Sequence, residues 1–125
     1  MTDAPSVSIV ITAHNEAETI VATLRSVASQ QASGRLEILV VDDRSTDGTS
    51  ELALSLQLTN LRLIRIDHFD HPSLTARQVA LDTGLRAARG QLVFLTDADG
   101  LVPPDWIETM SRHLEKADAV AGRVD

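Results

Sequence analysis

The segment from Glu37 to Thr49, EILVVDDRSTDGT, decides the fold class. Four of its first five residues, Glu37 to Val41, are apolar and rich in Val and Ile, which predicts a β-strand covered on both faces. Two aspartates end this run. The turn from Ser45 to Gly48 then leads into a short predicted helix, Thr49 to Leu56. A covered strand followed by a polar turn and a helix is typical of α/β folds with a parallel sheet.

The alternation continues on both sides of this segment. Three other short runs rich in Val, Ile and Leu predict strands, at Val7 to Ala13, Leu61 to Ile66 and Leu92 to Leu95. A fifth strand is expected at Ala119 to Val124. The stretch from His68 to Ser73 is predicted to be a surface loop, because it is polar and irregular.

Helical patterns separate these strands. Asn15 and Glu18 have the spacing of a capping box before the first helix. A later helix is predicted from Thr75 to Ala88, and Pro104 is placed at the first position of the last helix. The order therefore predicts a mostly parallel sheet with helices on both faces. The apolar faces of the first and last helices are formed by Ile20, Leu24, Val27 and Ala28 and by Ile107, Met110 and Leu114.

Composition restricts the possible functions. The 125 residues carry 18 acidic against 11 basic side chains, a net charge of −7, which argues against nucleic acid and against a polybasic membrane patch. The absence of Cys excludes disulfides, thiolate metal sites and a Cys nucleophile. No apolar run approaches the ~18 residues of a membrane span. Residues 1–6 lack the pattern of a signal peptide, so a single cytoplasmic domain is expected.

Ligands of open parallel sheets bind beyond the carboxyl ends of the strands. Three of the four predicted ends are acidic: Asp42 and Asp43, then Asp67, then Asp97 and Asp99. Asp42 and Asp43 are adjacent in a strand, so at most one is expected to face a ligand, while the other caps the next turn. Both could equally be turn residues. The sequence thus predicts a group of carboxylates along one edge of the sheet.

Asp97 and Asp99 form the most informative pair. Residues two apart in an extended segment point the same way, and a hard divalent cation, Mg²⁺ or Mn²⁺, would relieve their repulsion. Such an ion also binds substrate diphosphates, which reconciles an acidic protein with an anionic nucleotide. One Asp-x-Asp is expected about once by chance in this composition, and an ordinary turn is the alternative.

Other polar and aromatic residues are less informative. Arg77, near a helix start, could reach a diphosphate or be a solvated helix residue. His68 and His71 lack a third metal ligand, so a surface loop is the better interpretation. Trp106 is expected to pack at a helix edge or to form the floor of an acceptor cleft.

Four motifs together resemble those of the family 2 glycosyltransferases, an inverting family with the GT-A fold. They are VSIVITAHNEAETI at Val7 to Ile20, EILVVDDRSTDGT at Glu37 to Thr49, ARQVALDTGLRAARG at Ala76 to Gly90 and LVFLTDADGLVPPDW at Leu92 to Trp106. The resemblance covers almost the whole chain. It implies a Rossmann-like GT-A three-layer sandwich, apparently truncated, in which residues 1–125 are the nucleotide-diphospho-sugar-binding half of a catalytic domain.

The resemblance also implies residue roles and a reaction. The acceptor, which could be a glycan, a lipid or a small molecule, would attack the sugar through a hydroxyl in a single displacement. The catalytic base is expected beyond Asp125, so no catalytic residue is assigned. A longer parent protein could lie at the cytoplasmic face of the inner membrane. Thr12, Ala13 and Glu16 would line the base and ribose pocket, Asp43 would bind the nucleobase, Arg77 would lie near the diphosphate, and Asp97 and Asp99 would bind the metal.

One departure from the family pattern and several alternatives stay open. Arg44 stands where the family commonly has Gly, so the turn after Asp43 is expected to differ in shape. One alternative is a haloacid dehalogenase-type phosphatase, in which Asp97 would be the nucleophile. Another is a signalling domain similar to receiver domains, although this sequence lacks the Lys that such a domain carries at the same edge of the sheet. A non-catalytic nucleotide-binding fragment is a third. A Rossmann dehydrogenase is disfavoured because no Gly-x-Gly-x-x-Gly follows a strand.

Overall fold

The computed structural model describes residues 5–30 and 35–114. Strands and helices alternate strictly within these residues: β1 Val7–Ala13, α1 Ile20–Ala28, β2 Leu36–Asp43, α2 Thr49–Ser55, β3 Leu61–Ile66, α3 Ala76–Ala87, β4 Leu92–Asp97 and α4 Trp106–Leu114. The four strands form one parallel sheet in the order β3-β2-β1-β4. The predicted α/β class is confirmed. The fifth strand expected at Ala119 to Val124 lies outside the described residues.

The period-two alternation of β1 and β2 divides the core between the two faces of the sheet. On one face, Ile9 and Ile11 pack with apolar side chains of α1, α2 and α4. On the other face, Val10, Leu39 and Val41 pack against Ala80 of α3. Every residue of β1 is buried, and so is every residue of β2 except Leu36, which explains their nearly continuous apolar sequences.

Helix α3 determines where the site can form. Its start is fixed by a capping box, in which the Thr75 hydroxyl accepts a hydrogen bond from the Gln78 backbone and the Gln78 side chain accepts one from the Thr75 backbone. Gly84 allows the helix to lie close to the sheet, because a Cβ there would come within 2.4 Å of Cγ1 of Val10. The first turn of α3, with Arg77, therefore lies at the carboxyl ends of β1 and β2.

Two predictions about helix starts are wrong. Helix α1 begins at Ile20, not after Asn15, whose φ of 53° and tertiary hydrogen bonds place it in the loop after β1. Pro104 lies in a turn before α4, which starts at Trp106. Both errors have one cause, because a local capping or proline signal marks the approach to a helix, whereas tertiary contacts determine its first residue.

Candidate functional site

A cleft of about 330 Å³ opens at the carboxyl ends of β1, β2 and β4, on the side of the sheet covered by α3. All seven predicted site residues line it: Thr12, Ala13, Glu16, Asp43, Arg77, Asp97 and Asp99. Four further residues complete the lining, namely His14, Arg44, Ala76 and Ala80. A second cavity of about 420 Å³ shares Arg77, Asp97 and Asp99 and extends over β4.

The two adjacent aspartates of β2 point to opposite faces of the sheet. Asp42 is fully buried and accepts hydrogen bonds from the Ser45 backbone, the Ser50 hydroxyl and Arg65. Asp43 lies on the α3 side and lines the cleft. The opposite orientations and the cap that Asp42 forms on the turn are as predicted, and contact of Asp43 with a ligand stays a prediction.

Asp97 and Arg77 meet at one end of the cleft. The guanidinium Nη1 of Arg77 lies 2.8 Å from Oδ1 of Asp97, and the Thr12 hydroxyl lies 3.4 Å from the same oxygen. Both charged side chains stay about half exposed, at 62% for Arg77 and 49% for Asp97. An exposed ion pair of this kind contributes little to stability.

Asp99 lies in a tight turn after β4. The extended geometry expected for the pair is wrong for Asp99, because β4 ends at Asp97 and the chain turns through Ala98 and Asp99. Ala98 is buried between the two exposed aspartates, so both carboxylates nevertheless lie at the surface of the cleft. The carboxylate of Asp99 has no hydrogen-bond or ion-pair partner within residues 5–30 and 35–114.

The turn is anchored through the buried Ala98. Its backbone N–H donates to the carbonyl of Thr12, and its carbonyl accepts hydrogen bonds from the hydroxyls of Thr19 and Thr23, at 2.9 and 2.8 Å. Helix α1 therefore fixes the position of both aspartates without touching either carboxylate.

Asp97 and Asp99 offer the carboxylate oxygens that Mg²⁺ and Mn²⁺ prefer. In the described part of the chain, no three His, Asp or Glu side chains gather where one ion could contact them all. A hard cation that keeps several waters and binds substrate phosphates needs only one or two protein carboxylates. The donor set thus fits such a cation.

The loops after β1 and β2 are tied together beside the cleft. Asn15 accepts a hydrogen bond from the Thr46 backbone, and the backbone N–H of Glu16 donates to the Thr49 hydroxyl. Asp47 joins the loops from the other side, since it accepts from the Ala17 backbone. Hydrogen bonds from Thr49 and from the Ala17 backbone hold the pKa of Asp47 below its usual range. These contacts hold the Glu16 backbone at the edge of the cleft.

Arg44 is a cleft residue whose role sequence reasoning missed. Its φ of 56° is in the left-handed region that favours glycine, the residue that the resemblance leads us to expect at this position. Nε and Nη2 donate to the two carboxylate oxygens of Asp43 at 2.8 and 3.2 Å, and this pairing raises the pKa of Arg44 above its usual range. The guanidinium also lies 5.4 Å from the centre of the Phe69 ring.

His14 is a second residue whose place in the site was missed. It follows Ala13 directly, and its position at a strand end was the available signal. Its Nδ1 lies 2.6 Å from the carbonyl oxygen of Asp43, a contact in which Nδ1 carries the proton. The ring therefore sits between the ends of β1 and β2.

Trp106, Phe94 and His71 lie outside the cleft and make structural contacts. Trp106 is 5% exposed and packs edge-on against Phe94, with ring centres 5.3 Å apart, so it belongs to the core. The stretch from His68 to Ser73 is an irregular surface loop, as predicted. Within it, Nδ1 of His71 accepts hydrogen bonds from the backbone of Ser73 and Leu74.

The parallel sheet and the acidic cleft beyond its strands define a Rossmann-like α/β protein. Residues 8–125 match glycosyl transferase family 2, and the chain belongs to this family. It is 34% identical over 120 residues to the succinoglycan biosynthesis protein ExoO of Rhizobium meliloti, covering 96% of this chain and 32% of that one. The chain therefore spans about a third of this relative's length.

Two solved structures share the fold. The mannosyltransferase PcManGT of Pyrobaculum calidifontis, in complex with GDP-Man and Mn²⁺, has a TM-score of 0.76 and 32% identity over 97% of this chain and 35% of its own. The glucosyl-3-phosphoglycerate synthase of Mycobacterium tuberculosis, in complex with Mn²⁺, UDP and phosphoglyceric acid, has a TM-score of 0.68 and 25% identity over 88% and 39%. The predicted GT-A class is confirmed, and the family match gives no support to the phosphatase and receiver alternatives.

None of the helices in residues 5–30 and 35–114 combines the length and the apolar character that crossing a bilayer requires.

Proposed function

We propose that residues 1–125 form the nucleotide-binding half of an inverting glycosyltransferase. The protein would transfer a sugar from a nucleotide-diphospho-sugar to an acceptor hydroxyl, with the assistance of Mg²⁺ or Mn²⁺. The observation that carries this proposal is the single cleft lined by all seven residues that the sequence singled out. The complexes of two structural neighbours, one with GDP-Man and Mn²⁺ and one with UDP and Mn²⁺, support the choice of ligand.

The roles follow the order of residues along the cleft. Thr12, Ala13 and Glu16 line the base and ribose pocket, and Asp43 accepts a hydrogen bond from the nucleobase. At the other end, Arg77 brings a guanidinium to the diphosphate, where it forms charge-assisted hydrogen bonds. The nucleotide would therefore extend from Asp43 to Asp97 across the carboxyl end of β1, which lies between β2 and β4.

Asp97 and Asp99 would hold the divalent cation. When bound, such an ion offsets the negative charge that develops on the leaving diphosphate. Asp99 is the stronger candidate, because its carboxylate is exposed and has no partner in the described residues, whereas Asp97 is shared with Arg77. Release of Asp97 by Arg77 would let the guanidinium turn to the phosphates.

The reaction is a single displacement at the anomeric carbon. The acceptor oxygen forms a bond to that carbon as the bond to the diphosphate oxygen breaks, and the hydroxyl proton passes to a general base. No residue of 1–125 is assigned this last role. A glycan, a lipid and a small molecule all present a suitable hydroxyl, and action at the cytoplasmic face of a membrane is part of the proposal.

Calorimetric titration with UDP and with GDP, with and without Mn²⁺, tests the proposal. We expect binding that requires Mn²⁺, and a loss of this requirement together with most of the affinity in Asp99→Ala. The matched control is Asp82→Ala on α3, an exposed carboxylate paired with Arg86 outside the cleft. Equal affinity with and without Mn²⁺, or unchanged binding in Asp99→Ala, would contradict the assigned roles.

A further inference from the structure

Arg44 is held in place at three points. Its backbone N–H donates to the carbonyl of Ile66 at 2.9 Å, its guanidinium forms a fork on Asp43, and the guanidinium carbon Cζ lies over the Phe69 ring. Phe69 belongs to the loop between β3 and α3, so the contact joins this loop to the end of β2. The side chain is therefore oriented by both flanking strands and by the loop, although it is 38% exposed.

The fork occupies the edge of Asp43 that receives paired donors. Nε reaches Oδ1 and Nη2 reaches Oδ2, so each carboxylate oxygen uses the lone pair on the side that faces Arg44. The carboxyl side chain is only 9% exposed, which leaves little room for a second planar group with two donors. Each oxygen keeps one further lone pair, and a single N–H can still reach it.

Nucleobases differ in what they need from a carboxylate. Guanine presents two adjacent donors, N1–H and the 2-amino group, and pairs with both oxygens at the same edge that a guanidinium fork uses. Uracil and thymine present one imide N–H between two carbonyls and need one oxygen only. If the edge at which both carboxylate oxygens accept two adjacent donors is already filled, the carboxylate can still accept the single N–H of uracil or thymine. It can no longer accept both donors of guanine.

We propose that Arg44 is a specificity-determining residue, which fills the paired edge of Asp43 and so selects uracil or thymine nucleotides over guanine nucleotides as donor. This inference rests on the proposed function, in which Asp43 binds the nucleobase. The fold alone does not choose the base, since one structural neighbour holds GDP-Man and another holds UDP.

Inosine diphosphate is the sharpest probe, because it lacks only the 2-amino group of GDP. We expect the protein, titrated in the presence of Mn²⁺, to bind GDP and IDP with affinities within about threefold of each other, since Arg44 occupies the edge of Asp43 at which N1–H and the 2-amino group would bind together. UDP should bind more tightly than either. In Arg44→Gly, GDP should gain about tenfold over IDP, because one additional hydrogen bond to a charged carboxylate becomes available.

The variants are chosen so that folding does not obscure the result. Glycine tolerates the φ of 56° without strain, so Arg44→Gly should fold. Arg44→Lys keeps the charge but cannot form the fork, so it should also raise the affinity for GDP relative to IDP. Arg86→Ala removes an exposed arginine that pairs with Asp82 outside the cleft and should leave the ratio unchanged.

Three outcomes would overturn the inference. A strong preference for GDP over IDP with Arg44 in place would show that the edge of Asp43 is open. An unchanged ratio in Arg44→Gly would remove the residue from base selection, while metal-dependent binding of UDP left the proposed function standing. A lack of binding by all three nucleotides would overturn the inference and the proposed function together.

Discussion

Asp42 and Asp99 both lie at the carboxyl edge of the sheet, but their surroundings differ. Asp42 is fully buried and receives hydrogen bonds from Ser45, Ser50 and Arg65. Asp99 is exposed and makes no side-chain contact of this kind with the described residues. A carboxylate whose oxygens are saturated by protein donors stabilises the fold, whereas one with free lone pairs can bind a ligand.

The same difference separates two acids on the α3 face. Glu37, at the opposite end of β2, accepts hydrogen bonds from Ser8, Arg62 and the backbone of Arg89, all within the protein. Asp43 pairs with one neighbouring arginine and otherwise faces the cleft. These four carboxylates thus divide into two that are held by protein donors, Asp42 and Glu37, and two that line the cleft, Asp43 and Asp99.

The largest expected effect on stability is that of Asp42→Asn. The amide would replace a buried acceptor of three hydrogen bonds and could turn its N–H groups toward two donors, Ser50 and Arg65, so the free energy of unfolding should fall by about 3 kcal/mol. Urea denaturation measures this change. Asp67→Asn is the matched control, because Asp67 contacts the same Arg65 but is 82% exposed, and a loss comparable to that of Asp42→Asn would contradict the distinction.

A smaller and pH-dependent effect is expected for Glu37→Gln. Burial raises the pKa of Glu37, but hydrogen bonds from Ser8, Arg89 and Arg62 and the charge of Arg62 outweigh burial and lower the pKa below its ordinary 4.5. The carboxylate therefore stabilises the fold above pH 4.5, and this contribution is lost as the pH falls through the lower pKa of the folded state.

At pH 7 the free energy of unfolding of Glu37→Gln should accordingly be about 2 kcal/mol lower than that of the unchanged protein. The difference should shrink as the pH is lowered below 4.5. Urea titrations at a series of pH values measure it. A difference that stays constant across this range would show that the loss comes from packing and not from the charge.

The smallest expected change in stability is that of Thr23→Val, which removes one of the two hydroxyls on the carbonyl of Ala98. Because Thr19 still donates, the free energy of unfolding should fall by only about 1 kcal/mol. The turn that carries Asp97 and Asp99 should loosen, and Mn²⁺-dependent nucleotide affinity should fall about tenfold.

Thr83→Val is the control for this last prediction, since Thr83 bonds the carbonyl of Val79 within α3. It should leave nucleotide affinity unchanged. If Thr23→Val also leaves it unchanged while stability falls, the anchoring of the turn has no part in ligand binding.

Much of the fold followed from local pattern. Runs such as Val7 to Ala13 have the length and the β-branched content of covered strands, and the confirmed order of elements follows from their alternation with helical segments. The first residue of α1 could not be predicted from local pattern. Asn15 carries a capping signal, but its side chain binds the loop after β2, and no local rule can weigh that tertiary contact against a cap.

The sequence by itself determined that carboxylates end the strands and that Asp42 and Asp43 point opposite ways, because the two-residue period of a strand is a local property. Only the tertiary structure decided that Asp43 faces the cleft, since this depends on which face α3 covers. It also decided that Arg77 meets Asp97 and that Arg44 closes on Asp43. Such contacts depend on the packing of α3 against the sheet and on a left-handed turn, which side-chain pattern does not encode.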